Sequence, residues 1–138
     1  MIAAVVALQA GPYETELQYC VDQTNAYRAS VGRAPVTRST ALETYAATSA
    51  RVDAASRVPH QYFERTLGGG IALAENLIPW WPLSRYGTVH EILRRGLAGM
   101  WAEGPKGGHY RNIAGHYTEM GCGIYSDGAR VTVVQEFR

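Results

Sequence analysis

Met120-Gly121-Cys122-Gly123-Ile124-Tyr125-Ser126-Asp127-Gly128-Ala129-Arg130-Val131-Thr132-Val133-Val134-Gln135-Glu136-Phe137 is the stretch that decides the fold. Met120, Cys122 and Ile124 alternate with Gly121, Gly123 and Tyr125, the two-residue period of a strand. Asp127-Gly128 is a favoured two-residue hairpin turn, because both residues tolerate the positive φ it needs. Val131 to Phe137 returns as a second strand rich in β-branched residues. Glycines at 121 and 123 leave one face of the sheet almost bare, so a helix or a pocket must lie against it.

Upstream the period is helical. Leu17, Cys20, Val21, Thr24, Tyr27 and Val31 recur at three- and four-residue steps, and Gly32 supplies a stop, so a first helix is expected from Glu14 to Val31. Ala34-Pro35-Val36 cannot continue it and reads as extended. Thr40-Ala41-Leu42-Glu43 has the pattern of a capping box opening a second helix. Its inner face is Leu42, Tyr45, Ala46, Ser49, Ala50, Asp53 and Ala54, dominated by small residues, which implies a close neighbour. Residues 58 to 87 read as irregular, with Pro59, Gly68-Gly69-Gly70 and Pro79-Trp80-Trp81-Pro82, and a segment of that length in a compact domain signals function. A second capping box, Thr88-Val89-His90-Glu91, opens a third helix with Val89, Ile92, Leu93, Leu97 and Met100 on its apolar face, ending at Trp101. Helices first and an antiparallel hairpin last define an α+β chain rather than alternating βαβ units.

At 138 residues the chain is long enough for one domain with its own core, placed at 14–138 after an N-terminal segment at 1–13. The hydrophobic share of 46% and charged share of 18% are those of an ordinary globular protein. A net charge of +1 argues against a dedicated nucleic-acid binder, and the six arginines at 28, 33, 38, 51, 57 and 65 read as solvated charges rather than a stripe. No stretch approaches the roughly 20 apolar residues of a membrane span. The apolar Met1–Ala10 reads as the end of an export signal or as an added start. Cys20 and Cys122 are either a disulfide or two buried thiols; paired, they close a loop worth nominally about 4–5 kcal/mol in the chain-entropy account.

Among the groups that carry chemistry, His60, His109 and His116 fall in loops or at element ends, whereas His90 falls in the first turn of a helix. A zinc site is built from such side chains, yet no His-Glu-x-x-His spacing is present. There is no Gly-x-Ser-x-Gly elbow, and Gly68-Gly69-Gly70 lacks the frame of a phosphate loop. Glu75 sits among apolar neighbours that would desolvate it unless it is paired. Trp80 and Trp81 read either as core or as the lining of a groove, together with Ile78 and Leu83. Met100-Trp101-Ala102-Glu103 followed by Gly104-Pro105-Lys106-Gly107-Gly108-His109 places an acid and an imidazole at a glycine-rich helix exit.

Taken in order, Asn25-Ala26-Tyr27-Arg28, His60, Ala74-Glu75-Asn76-Leu77, Met100-Trp101, Gly108-His109-Tyr110-Arg111-Asn112-Ile113 and Tyr117-Thr118-Glu119-Met120-Gly121-Cys122-Gly123 resemble the CAP superfamily over about residues 14 to 137. That group holds cysteine-rich secretory proteins, antigen 5 and plant pathogenesis-related proteins, and this chain resembles its minimal bacterial members. The resemblance implies a three-layer α-β-α sandwich with a central, mostly antiparallel sheet and a polar cleft. It implies a cleft tetrad of His60, Glu75, Glu103 and His109, with His60 and His109 able to bind a divalent cation, often zinc. Glu103 stands two residues after Trp101 where the family usually places its acid three after. His116, in Gly115-His116-Tyr117-Thr118-Glu119, is the alternative to His109, which better fits the family's distance to Gly121-Cys122. The six-cysteine pattern and a tryptophan after the Gly-His-Tyr fragment are absent. The resemblance therefore implies a secreted, monomeric binding module for a small-molecule, lipid or cell-envelope ligand. The alternatives are a zinc-dependent hydrolase in which Glu75 or Glu103 takes the proton of a bound water, or a lipid or sterol carrier.

Overall fold

The computed structural model describes residues 11–138. The reading of Met1–Ala10 lies outside the described residues. The elements are α1 (Glu14–Ser30), β1 (Thr37–Arg38), α2 (Thr40–Ser56), α3 (Gln61–Thr66), a 3-10 turn (Leu67–Gly70), β2 (Ala74–Pro82), α4 (Leu83–Tyr86), α5 (Val89–Ala102), α6 (Gly108–Ile113), β3 (Glu119–Ser126) and β4 (Arg130–Phe137). They form an α+β fold around a four-stranded sheet in the order β1-β3-β4-β2. Only the short β1–β3 pair is parallel; β3–β4 and β4–β2 are antiparallel. Helix α2 lies across β3 and β4 on one side, and α1, α5 and α6 pack on the other.

Alternation along the strands sorts the side chains between these layers. Ile78, Val133 and Cys122 join the main core with Ile92, Leu93 and Leu97 of α5 and Val21 of α1. Leu77 and Val134 face the other way, against Ala46 and Ala50 of α2. The bare glycine strip is what lets α2 settle there. A Cβ on Gly121 would lie 2.5 Å from the backbone N of Glu43, and one on Gly123 would strike the backbone of Ala46 and Ala47. The expected close neighbour of the small face of α2 is therefore β3 itself.

The disulfide reading of the two cysteines holds: Cys20 of α1 is bonded to Cys122 of β3, 102 residues away. Both residues are buried, so the link runs through the core rather than across the surface.

Four expectations need correction. The segment 58–87 is not irregular: it contains α3, β2 and α4. Strand β2 escapes a hydropathy reading because its buried positions include Glu75 and Asn76, and because Pro79 and Trp80 fall in a bulge between Ile78 and Trp81. Trp80 takes φ 34 there, and a bulge is where a strand tolerates proline. The N-cap of α2 is Ser39, not Thr40; its Oγ accepts from the Leu42 N–H at 3.2 Å. Glu43 does not reach back, because the Arg38 guanidinium, a charged donor, takes its carboxylate. Thr88 does cap α5, accepting from the Glu91 N–H at 3.0 Å, but Glu91 turns to Arg94 and Arg95. In the hairpin the central residues are Gly128-Ala129, one later than expected, with Asp127 Oδ1 accepting from the N–H groups of Ala129 and Arg130 at 2.8 Å each.

Arg28 is the fourth correction. It is 2% exposed, and no carboxylate pairs with it among the described residues. Its guanidinium instead donates to the carbonyls of Ala34, Ile113, Gly115 and Tyr117. One buried cation thus ties α1 to the segment that follows α6, and the five donors of arginine suit a set of carbonyls that lysine cannot span.

Two outcomes follow from this packing. Gly123→Ala forces α2 off the sheet and is expected to cost about 1–3 kcal/mol or more in urea unfolding, as overpacking does; an unchanged midpoint would show that α2 does not ride on β3. Alkylation under denaturing, non-reducing conditions should leave both cysteines unmodified, and labelling of either would contradict the bond.

Candidate functional site

The two faces of the β2–β4 ladder carry two different polar layers, set by register. Glu75 pairs with Glu136 and Asn76 with Gln135. Glu75 shares the α2-facing side with Leu77, and its neighbour Asn76 points to the opposite layer with Ile78.

On the α1/α6 side the amides form a directed chain. Asn112 of α6 donates from Nδ2 to Asn76 Oδ1 at 2.8 Å, and Asn76 Nδ2 donates to Gln135 Oε1 at 3.1 Å. Gln135 Nε2 in turn donates to Thr24 Oγ1 of α1 at 3.0 Å. Asn76 also donates to the His109 carbonyl at 3.2 Å, which fixes the start of α6 against the sheet. Asn76 is a fully buried strand residue whose amide joins three elements.

On the α2 side the acid Glu75 is held twice. Oε1 accepts from His60 Nδ1 at 2.7 Å, and Oε2 accepts from Ser49 Oγ at 2.8 Å. Burial pushes the Glu75 carboxyl up, but His60, the neighbouring Glu136 and Ser49 together outweigh it and leave the group below its ordinary value. The bond to Glu75 raises His60 above the ordinary histidine value against an opposing contribution from burial. His60 itself takes the left-handed backbone at φ 61, immediately before α3. Asp53 of α2 stabilises that entry by accepting the Tyr62 N–H at 3.1 Å, serving as a cap borrowed from another helix. A strained non-glycine residue held by its surroundings is what a functional position shows.

The second pair lies at the exit of α5. Glu103 Oε2 accepts from His109 Nδ1 at 2.6 Å, and its Oε1 accepts from the His109 backbone N–H at 3.2 Å. The contact with His109 holds Glu103 below the ordinary carboxylate range, with a small opposing contribution from burial. Gly107 makes room for this: a Cβ there would lie on the Glu103 side chain.

His60, Glu75, Glu103 and His109 all line one surface depression of about 470 Å³, with Asn76, Gly108, Arg111 and Asn112. His116 lies exposed in the bend between α6 and β3 and is not among the lining residues. His90 packs against Tyr19 with ring centroids 4.5 Å apart. In both lining histidines Nδ1 is the ring atom committed to a carboxylate, so in the neutral ring Nδ1 carries the hydrogen and Nε2 retains its lone pair. That is the orientation a metal-ligating imidazole requires. Among the described residues no group of three or more His, Cys, Asp or Glu is placed to hold a metal.

A second depression of about 320 Å³ adjoins the first through Glu103 and His109. Its other walls are Leu77, Ile78, Pro79, Trp81, Gly96, Gly99 and Met100. Trp81 is partly core, stacking on Tyr86, and partly lining; Trp80 lies beneath the Arg57 guanidinium, and neither it nor Leu83 contributes to this wall.

The sheet with helices packed on both faces makes this an α-β-α domain with two carboxylate-bonded histidines at one depression. The chain belongs to the cysteine-rich secretory protein (CAP) family, whose model matches residues 21–137. An extracellular protein containing an SCP domain from Bacillus anthracis superposes over 96% of this chain with a TM-score of 0.64 at 16% identity. A cysteine-rich secretory protein from Staphylococcus aureus does so over 96% with a TM-score of 0.58 at 15% identity. This chain spans 45% and 41% of those two chains, respectively. No curated protein sequence matches it significantly.

Sequence reading placed Ser49 and Asp53 on the buried face of α2 but gave no site role to them, to Asn112 or to Gln135. The signal for Gln135 was present: two polar residues, Gln135-Glu136, interrupt a strand of β-branched residues, just as Glu75-Asn76 precede Leu77-Ile78.

Raised above its unfolded value, His60 contributes stability that is complete below about pH 6.5 and is lost as pH rises through the folded value. Imidazole NMR should therefore show His60 holding its proton to higher pH than free histidine. Glu75→Gln should bring the titration back down; an unaltered titration in that variant would remove Glu75 as the cause.

Proposed function

We propose that this domain is a secreted binding module whose paired histidines, His60 and His109, present Nε2 to a divalent cation such as zinc, with a ligand completing the coordination. The observation that carries the reading is the shared Nδ1–carboxylate bond of both histidines at the wall of one depression. Export is supported by the core disulfide, a bond that persists in oxidising compartments, and by the extracellular SCP-domain protein that shares the fold. Such a module acts as a monomer on a small-molecule, lipid or cell-envelope ligand.

Binding is favoured over metal-assisted hydrolysis by the state of Glu75 and by the small number of protein ligands. Both Glu75 oxygens are occupied, and the Glu75 side chain is 1% exposed, so it has no free lone pair directed at a bound water. Glu103 accepts from His109 through both oxygens, and its 34% exposed side chain makes it the more accessible of the two acids. A general base must reach the proton it removes. A catalytic zinc usually has three protein ligands, and two are on offer.

One observation favours an amphiphilic ligand over a purely polar one: the apolar depression shares Glu103 and His109 with the polar one. A single molecule can place a polar group at the histidines and an alkyl or ring portion against Trp81 and Met100.

Calorimetric titration of chelator-stripped protein with zinc tests the reading. One equivalent should bind, and His60→Ala/His109→Ala should abolish it, whereas His116→Ala should bind as the parent does. Equal zinc binding by the parent and the double variant, or none by the parent, would overturn the assignment. Native mass spectrometry of freshly purified protein addresses the amphiphile.

A further inference from the structure

Behind Glu75 lies a second acid that the site does not use. Glu136 is fully buried, and neither of its oxygens has a hydrogen-bond donor among the described residues. Its cross-strand partners are Glu75 on β2 and Gly121 on β3, so the sheet offers it one carboxylate and one position with no side chain. The ionisable groups that α2 turns towards it are Asp53 and Tyr45. No cation stands among these neighbours. Asp53 compounds the problem, since its Oδ2 is also buried without a partner.

An ionised Glu136 here would be an uncompensated charge in a dry layer beside a second carboxylate, the costliest arrangement a fold can contain. Two carboxylates are acceptors only and make no bond to each other; adding one proton turns the contact into an O–H···O⁻ hydrogen bond, a short and strong type. Two acids that share a site divide their protons unequally for the same reason. The unequal division is legible here: Glu75 already receives His60 and Ser49, which favour its charged form, while Glu136 receives nothing.

We propose that Glu136 is a neutral carboxylic acid whose O–H donates to Glu75, making it a positioning residue that completes a three-donor cradle of His60, Ser49 and Glu136 around one charged carboxylate. Burial, then the contact with Glu75, pushes the Glu136 carboxyl up to about 11, in keeping with this. The cradle holds Glu75 as the anion that orients His60, and the pair carries one negative charge rather than two. This stands whether or not the depression takes a cation, because it concerns the layer beneath the histidines.

The sign of the pH dependence is fixed. A carboxyl raised in the folded state contributes stability that is complete below its unfolded value, near 4.5, and is lost as pH climbs towards the folded value near 11. Carbon-13 NMR of protein labelled at the glutamate carboxyl should keep one resonance at the neutral-acid position from about pH 5 to about pH 9, and that resonance should vanish in Glu136→Gln. Every glutamate titrating at an ordinary value would overturn the proposal, with no variant needed. Glu136→Gln keeps a neutral donor of the same shape. Its melting temperature should match the parent near pH 5 and exceed it increasingly towards pH 9, with His60 titrating as in the parent. Parallel melting curves at all pH values would also overturn the proposal. Glu136→Leu fills the space without donating and should shift the His60 titration upward; a His60 titration identical in the Leu and Gln variants would reduce Glu136 to packing.

Discussion

Everything in this domain hangs on the register of one antiparallel pair, β2 against β4. Setting Glu75 opposite Glu136 and Asn76 opposite Gln135 places two acids in one layer and two amides in the other. A slip of β2 by one residue would put Glu75 against the aliphatic core of α5 and Asn76 against the alanines of α2. Each layer then has to satisfy what it receives. The amides find partners in Thr24 and Asn112, and Glu75 finds them in Ser49 and His60.

Helix α2 reaches those acids because β3 gives way to it. Gly121 and Gly123 let the backbone of the helix lie directly on the strand, which sets Ser49 against Glu75 and brings Asp53 to the entrance of α3. The strain at His60 is sustained from both sides, by Asp53 through the helix entrance and by Glu75 through the ring. On the far side the disulfide and Arg28 fasten α1 to β3 and to the segment after α6, so the second histidine pair sits on an equally anchored support. Two acid–imidazole pairs, built independently on β2–α3 and α5–α6, meet at one depression.

The hairpin, α1, α2 and α5 were legible in the sequence because each buries a periodic apolar face, and the glycine strip announced its own neighbour. Strand β2 was not, because it buries Glu75 and Asn76 and bulges at Pro79-Trp80, so its hydropathy contradicts its place in the sheet. Of the site, His60, Glu75, Glu103 and His109 were reached through resemblance to the family rather than through spacing, since they come from four separate segments. Ser49 and Glu136 looked like an ordinary small helix residue and a strand polar residue. Arg28 looked solvated because nothing in a helical arginine reveals that loop carbonyls will close over it.

The central claim is that both imidazoles are oriented by carboxylates with Nε2 left open. Long-range nitrogen–proton NMR at a pH where the rings are neutral reports the tautomer directly. His60 and His109 should both carry the hydrogen on Nδ1, with Nε2 showing the shift of an unprotonated nitrogen. The hydrogen on Nε2 in either ring would mean that its carboxylate does not orient it and that the depression is not arranged to receive a cation.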